Sequence, residues 1–203
     1  MELTVSIPDV PGGLRLPPGV LNWSEEEFFH FCQSNRELRI ERTAKGEILV
    51  MSPAGGYSGY QSGEVFRQLS NRALRDGTGV AFDSSTGFSL PNGGMRAPDA
   101  AWVRRSRLAE LANAEKKRFL PLCPDFAIEV ASPTDELSEL TAKLEEYREC
   151  GLRLGWLILP ASAEVQVYTP GDVRTLDAPE SLSGEPVLPG FVLDLRPIWN
   201  PSF

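Results

Sequence analysis

Apolar residues recur along this chain with two different periods, and the points where one period gives way to the other mark out its elements. "NWSEEEFFHFCQSN" has Ser24 three residues ahead of Glu27, a capping-box spacing that predicts a short amphipathic helix. "LRIERTAKGEILVMSP" predicts two short strands, Leu38 to Arg42 and Glu47 to Met51, around a Lys-Gly turn. From Tyr57 to Asp76 the stripe Val65, Phe66, Leu69, Ala73 and Leu74 predicts a helix that stops at Gly77. "GVAFDSSTGFSLPNGG" alternates like a strand, and "MRAPDAAWVRRS" predicts another, broken at Pro98. A surface helix and loop follow in "SRLAELANAEKKRFLPLCP". "DFAIEVAS" is almost continuously apolar, as a strand covered on both faces would be. "PTDELSELTAKLEEYRECG" predicts a long helix with Pro133 near its start and Gly151 at its end. "RLGWLILP" predicts a second buried strand, "AEVQVYTPGDVRTLD" a hairpin, and "PVLPGFVLDLRPIW" the closing segment.

Two apolar strands around one helix predict a right-handed parallel crossover. With hairpins extending it, the expectation is an α/β single domain with a mixed central sheet flanked by helices. Residues 1–21, rich in Pro and Gly, are expected to form an extended arm ahead of a domain spanning 22–203.

The 203 residues suffice for one domain with a real core, and the composition is that of an ordinary globular protein. No run is apolar enough to span a membrane, and the first residues lack a secretory pattern, so a cytoplasmic setting is the expectation. Cys32, Cys123 and Cys150 are scattered and fit free thiols in a reducing compartment. His30 is the only histidine and sits in the first helical pattern, where it reads as structural. Any metal here would therefore rest mainly on carboxylates, which suit magnesium or manganese. The net charge of −8 opposes tight non-specific nucleic-acid binding, though it leaves room for a local basic patch.

The acids of interest lie where acids are costly. Glu129 falls inside an apolar strand, where a carboxylate must be paired, protonated or bound to a metal. Alternation puts it on one face with Ala127 and Ala131, small neighbours that leave room beside it, while Phe126, Ile128 and Val130 take the other. Asp99 opens another apolar strand. On the following helix Leu137, Leu140, Leu144 and Tyr147 form the expected core stripe, with Lys143 at its edge, able to reach solvent or the sheet. Glu64 lies on the earlier helix, and alone it reads as a surface residue. As a set, two strand carboxylates can hold a divalent cation and a nearby lysine can stabilise charge on a phosphate. Ser132 reads as a helix cap or a ligand to a metal-held water. Tyr147 reads as a core aromatic that could also orient Lys143, and Asp125 as a structural residue at the strand entry.

The ordered set "RAPDAAWV", "EVASPTDELSELTAKLEEY" and "LPGF", with "EILVMSPAGGYSGYQSGEVFRQL" before it, resembles the putative restriction endonuclease family of the PD-(D/E)XK nuclease superfamily, over residues 22 to 196. The resemblance implies a restriction-endonuclease-like core, magnesium (or manganese) dependence and DNA as substrate. By position Asp99 and Glu129 resemble the two acids, which would be metal ligands, and Glu64 resembles a further helix acid on the same metal. The superfamily lysine would stand at Ala131; here it looks displaced to Lys143. Where relatives carry a loop histidine, Ser58 stands instead. The resulting expectation is an endodeoxyribonuclease acting as a homodimer with no membrane partner. The alternatives are a nuclease fold that binds without cutting, and hydrolysis of RNA or a nucleotide at the same site.

Overall fold

The parallel crossover lies at the centre of the fold. Strand β8 (Phe126–Val130) runs into helix α4 (Leu137–Glu149) and returns as β9 (Leu154–Leu159), parallel to β8. The computed structural model describes residues 14–19 and 23–203. The arm expected over residues 1–21 therefore falls outside the described residues, apart from a segment that includes strand β1 (Leu14–Leu16).

The remaining elements, in chain order, are α1 (Glu25–Ser34), β2 (Arg39–Arg42), β3 (Ile48–Met51), α2 (Gly56–Asp76), β4 (Gly79–Asp83), β5 (Phe88–Ser89), β6 (Met95–Arg96), β7 (Ala100–Arg104) and α3 (Arg105–Glu110). After the crossover come β10 (Glu164–Thr169), β11 (Asp172–Asp177), β12 (Ser181–Ser183), β13 (Val192–Asp194) and α5 (Arg196–Trp199). The large sheet has the order β11-β10-β9-β8-β7-β4, antiparallel except between β8 and β9. A smaller antiparallel sheet has the order β1-β3-β2-β6-β5. The β10–β11 hairpin extends the central sheet as expected. The β2–β3 hairpin does not: β3 pairs with β1 and β2 with β6, which places it in the smaller sheet.

Alternation in the central strands sorts two cores. Phe126, Ile128 and Val130 of β8 pack with Trp102, Trp156 and the α2 residues Val65, Leu69 and Ala73. Ala127 of β8 packs on the opposite side with Ala101, Leu157, Leu144 and Tyr147. Burying a side chain such as Leu144 or Leu69 stabilises the fold by about 1.5–3 kcal/mol. Helix α4 lies close on β9 because residue 155 is glycine. A Cβ there would stand 2.8 Å from both Leu144 Cδ1 and Leu152 Cδ2. Among the described residues no helix is long and apolar enough to cross a membrane.

Helix α4 departs from its expected outline. It begins after Glu136, four residues beyond the point that Pro133 suggested, because Ser132 to Asp135 form a turn in which Ser132 N donates to Asp135 Oδ2 at 2.8 Å. Ser132 thus does not cap the helix. The buried face is Lys143, Leu144 and Tyr147, whereas Leu137, expected in the core, is 48% exposed.

Candidate active site

Strand register and helix position bring the first three side chains together. Ala100 pairs with Ile128 across the antiparallel β7–β8 ladder, so one step further Asp99 comes opposite Glu129. Asp99 Oδ2 accepts from Val130 N at 2.9 Å, which fixes the aspartate against the end of β8. Both acids share the face with Ala101 and Ala127, and these small residues leave space for side chains from α4. Lys143 fills it: its Nζ is 2.8 Å from Glu129 Oε1. One turn later Tyr147 donates from its hydroxyl to the same oxygen at 3.3 Å. Tyr147 is thus a core aromatic whose polar end holds Glu129.

The second sheet completes the cluster with residues that sequence reasoning missed. Glu41 of β2 accepts from Lys143 Nζ at 2.8 Å and from Ala97 N at 3.2 Å, both at Oε1. Its Oε2 is 3.2 Å from Arg96 Nη1, and Arg96 Nε donates to Glu146 Oε2 at 2.6 Å. Arg39, on the same face of β2 as Glu41, donates to Asp99 Oδ1 at 3.2 Å and to Ala97 O at 2.8 Å. Lys143 Nζ also reaches Ala97 O at 3.3 Å. Arg39, Glu41 and Lys143 therefore all grip Ala97, two residues before Asp99, and set where its carboxylate stands. The one signal in the sequence was the alternation of charges in "RIER", which reads equally well as a solvent-facing strand.

The cluster is recessed: Glu41 and Glu129 are 2% exposed, Lys143 7% and Asp99 8%. Lys143 is thus a buried ammonium rather than an edge residue reaching for solvent. Its burial favours the neutral amine, but Glu129 and Glu41 outweigh that and hold its pKa above the ordinary lysine value. Glu41 is also opposed by burial, yet Lys143, Arg96 and Arg39 together keep its pKa below the usual glutamate value. Glu129 behaves differently. Burial, reinforced by the charges of Asp99 and Glu41, exceeds the pull of Lys143 and raises its pKa to about 7.

Asp99, Glu129, Glu41 and Glu146 face Arg39, Arg96 and Lys143, which leaves one carboxylate in excess. That excess, together with a Glu129 carboxylate engaged only through Oε1, suits a divalent cation. Among the described residues no three His, Cys, Asp or Glu side chains gather as a ready-made metal centre. A cation here would be held by Asp99 and Glu129 with water in its remaining positions.

Glu64 stands apart. Its oxygens take Arg67 Nε at 2.7 Å, Arg67 Nη2 at 2.5 Å and Gln68 Nε2 at 3.0 Å. Gln68 in turn bonds the backbone of Asp194. Glu64, expected beside the strand acids, is thus bonded to the i+3 and i+4 neighbours of its own helix, and none of its side-chain hydrogen bonds reaches Asp99 or Glu129. Asp125 is structural, as expected, accepting from Arg104 N at 2.9 Å and lying 3.2 Å from Arg107 Nη1. His30 is exposed on α1, 3.7 Å from Glu26.

A mixed sheet with a crossover helix, carrying two acids and a lysine at one end of its paired strands, defines a restriction-endonuclease-like α/β protein. The chain belongs to the Uma2 family, described as "putative restriction endonuclease", whose profile matches residues 25–196. Among solved structures it is similar to a "putative nuclease" from Anabaena variabilis, at 21% identity over 87% of this chain and 97% of that one, with a TM-score of 0.70. At that identity the likeness is one of fold. No protein of curated function matches the chain.

Proposed function

We propose that this chain is a magnesium- or manganese-dependent endonuclease that hydrolyses phosphodiester bonds in DNA, with Asp99 and Glu129 as metal ligands and Lys143 as the charged donor to the phosphate. The observation that carries the proposal is the convergence of Lys143 on Glu129, beside Asp99, at the end of β7 and β8. A bound divalent cation would polarise a phosphoryl oxygen and lower the pKa of a water. The chain supplies the rest. Asp99 is pre-set by Val130 N and Arg39. Lys143 remains an ammonium because Glu41 and Glu129 flank it. It therefore acts by stabilising negative charge as it grows on the phosphate, and not by abstracting a proton. Tyr147 keeps Glu129 directed at the same space. Hydrolysis adds water across one P–O ester bond.

The proposal includes a homodimer, since two strands of a duplex call for two sites, and a cytoplasmic setting in keeping with three free cysteines. Binding without cleavage is the second reading. It is favoured by the near-complete burial of Glu129 and by the double pairing of Lys143. Nicking of supercoiled plasmid separates the two. Nuclease activity predicts conversion by wild-type protein in magnesium or manganese, none in EDTA, and none by Glu129→Gln. Absence of any cutting by wild-type protein in either metal would leave the binding reading.

A further inference from the structure

We infer that the cleft between α1 and the small sheet is a subsite for an unpaired nucleotide of a DNA strand, adjoining the phosphate that the acid–lysine cluster hydrolyses; this rests on the nuclease reading above. The cleft has a volume of about 530 Å³ and is lined in part by Arg36, Leu38, Arg39, Ile40, Arg96 and Phe119. That is a size typical of small-ligand sites. It is continuous with the cluster, because Arg39 and Arg96 line the cleft and also hold Asp99, Glu41 and Glu146.

Its chemistry is that of a nucleotide site. Arg39 Nε is buried and has no hydrogen-bond partner among the described residues, so the guanidinium is held in place without being fully satisfied. Arg36 is exposed and bonds only the carbonyl of Gln33, with no carboxylate paired to it among the described residues. Against these guanidinium groups, Glu37 is the one acid in the lining. Arg39 and Arg96 are matched by Asp99, Glu41 and Glu146, so among the described residues Arg36 is the guanidinium of the lining open to a phosphate. The apolar side is available too: Leu38 is 39% exposed and Phe119 is part-buried. A base can rest there while its phosphate meets the arginines.

The depth of the cluster selects the form of the strand. Glu129 is 2% exposed, so the backbone of a stiff duplex reaches it less readily than that of an unpaired strand. An unpaired strand can turn its backbone inward. The preferred substrate is therefore a single strand, a flap or a frayed end.

The test is fluorescence anisotropy of a labelled oligothymidine and of a blunt duplex of equal length, with full-length protein in EDTA so that binding is read without cleavage. The single strand is expected to bind more tightly than the duplex. Arg36→Glu and Leu38→Glu, both at exposed positions, should each weaken it about tenfold, while Arg75→Glu on α2 should not. Failure of the single strand to bind, equal affinity for the duplex, or wild-type affinity in both cleft variants would overturn the subsite. If the cleft variants lose binding but the wild type never cuts in magnesium, the nuclease reading falls and the subsite stands. If plasmid is cut while the cleft variants bind as wild type, the reverse holds.

Discussion

Lys143 Nζ lies 2.8 Å from Glu129 Oε1, in a space that β8 leaves by placing Ala127 beside the glutamate and that α4 reaches by packing on Gly155. The lysine is held in equal measure by Glu41 of the second sheet, also at 2.8 Å. It thus joins the two sheets as well as serving the candidate site.

Lys143→Met should therefore do more than remove a catalytic charge. It leaves Glu41 and Glu129 buried without their shared counter-ion, a change that costs about 3–5 kcal/mol when a buried pair is broken. Urea unfolding should show a lowered midpoint, and plasmid nicking should be lost. An unchanged midpoint would mean that Lys143 is not buried between the two acids.

Glu129→Gln keeps the shape and removes the charge, and its effect on stability should depend on pH. In the folded chain Glu129 titrates near 7, against an ordinary value of 4.5. Between those values the folded state holds the extra proton, so stability falls as pH rises from about 4.5 to about 7, by on the order of 3 kcal/mol. The glutamine variant lacks this slope. Thermal denaturation at pH 5 and pH 7.5 should show the wild type losing more Tm than the variant. Parallel losses would contradict the assignment.

Arg39 positions Asp99 through Oδ1 and holds Ala97 through its carbonyl. Arg39→Lys keeps the charge but cannot make both contacts with one planar fork. Outer partners of this kind are worth about 10–100-fold in metal affinity or activity. Nicking titrated against manganese should therefore need more metal in Arg39→Lys. Equal metal demand would show that Arg39 serves only the fold.

Glu64→Ala should leave nicking at the wild-type rate. Its carboxylate is taken by Arg67 and Gln68 and meets none of the cluster, so the loss is that of a surface pair, about 0–1 kcal/mol. A collapse of activity in this variant, with stability intact, would return Glu64 to the site.

These outcomes follow the line between what was legible in the sequence and what was not. Asp99 and Glu129 stand out because one opens and the other interrupts an apolar strand, while their shared face follows from the β7–β8 register. The crossover was legible for the same reason. From periodicity alone Lys143 was visible only as a helix lysine near a core stripe, and it was the family resemblance that marked it as a site residue. Its burial depends on Leu137 turning outward and on the closeness of α4 to β9, which are tertiary facts. Glu41 could not be singled out at all. Charged residues in a short strand read as solvent-facing until a second sheet, set by long-range pairing, folds them onto Ala97 and Lys143. Glu64 shows the converse: its partners, Arg67 and Gln68, are the i+3 and i+4 neighbours that helical periodicity already places beside it.

The most direct test of the account is the anomalous signal of manganese soaked into crystals of the wild-type protein. A peak is expected between Asp99 and Glu129, with Lys143 still beside Glu129, and no peak at that position in Glu129→Gln. Saturating manganese with no density between the two carboxylates, or density at Glu64 instead, would contradict it.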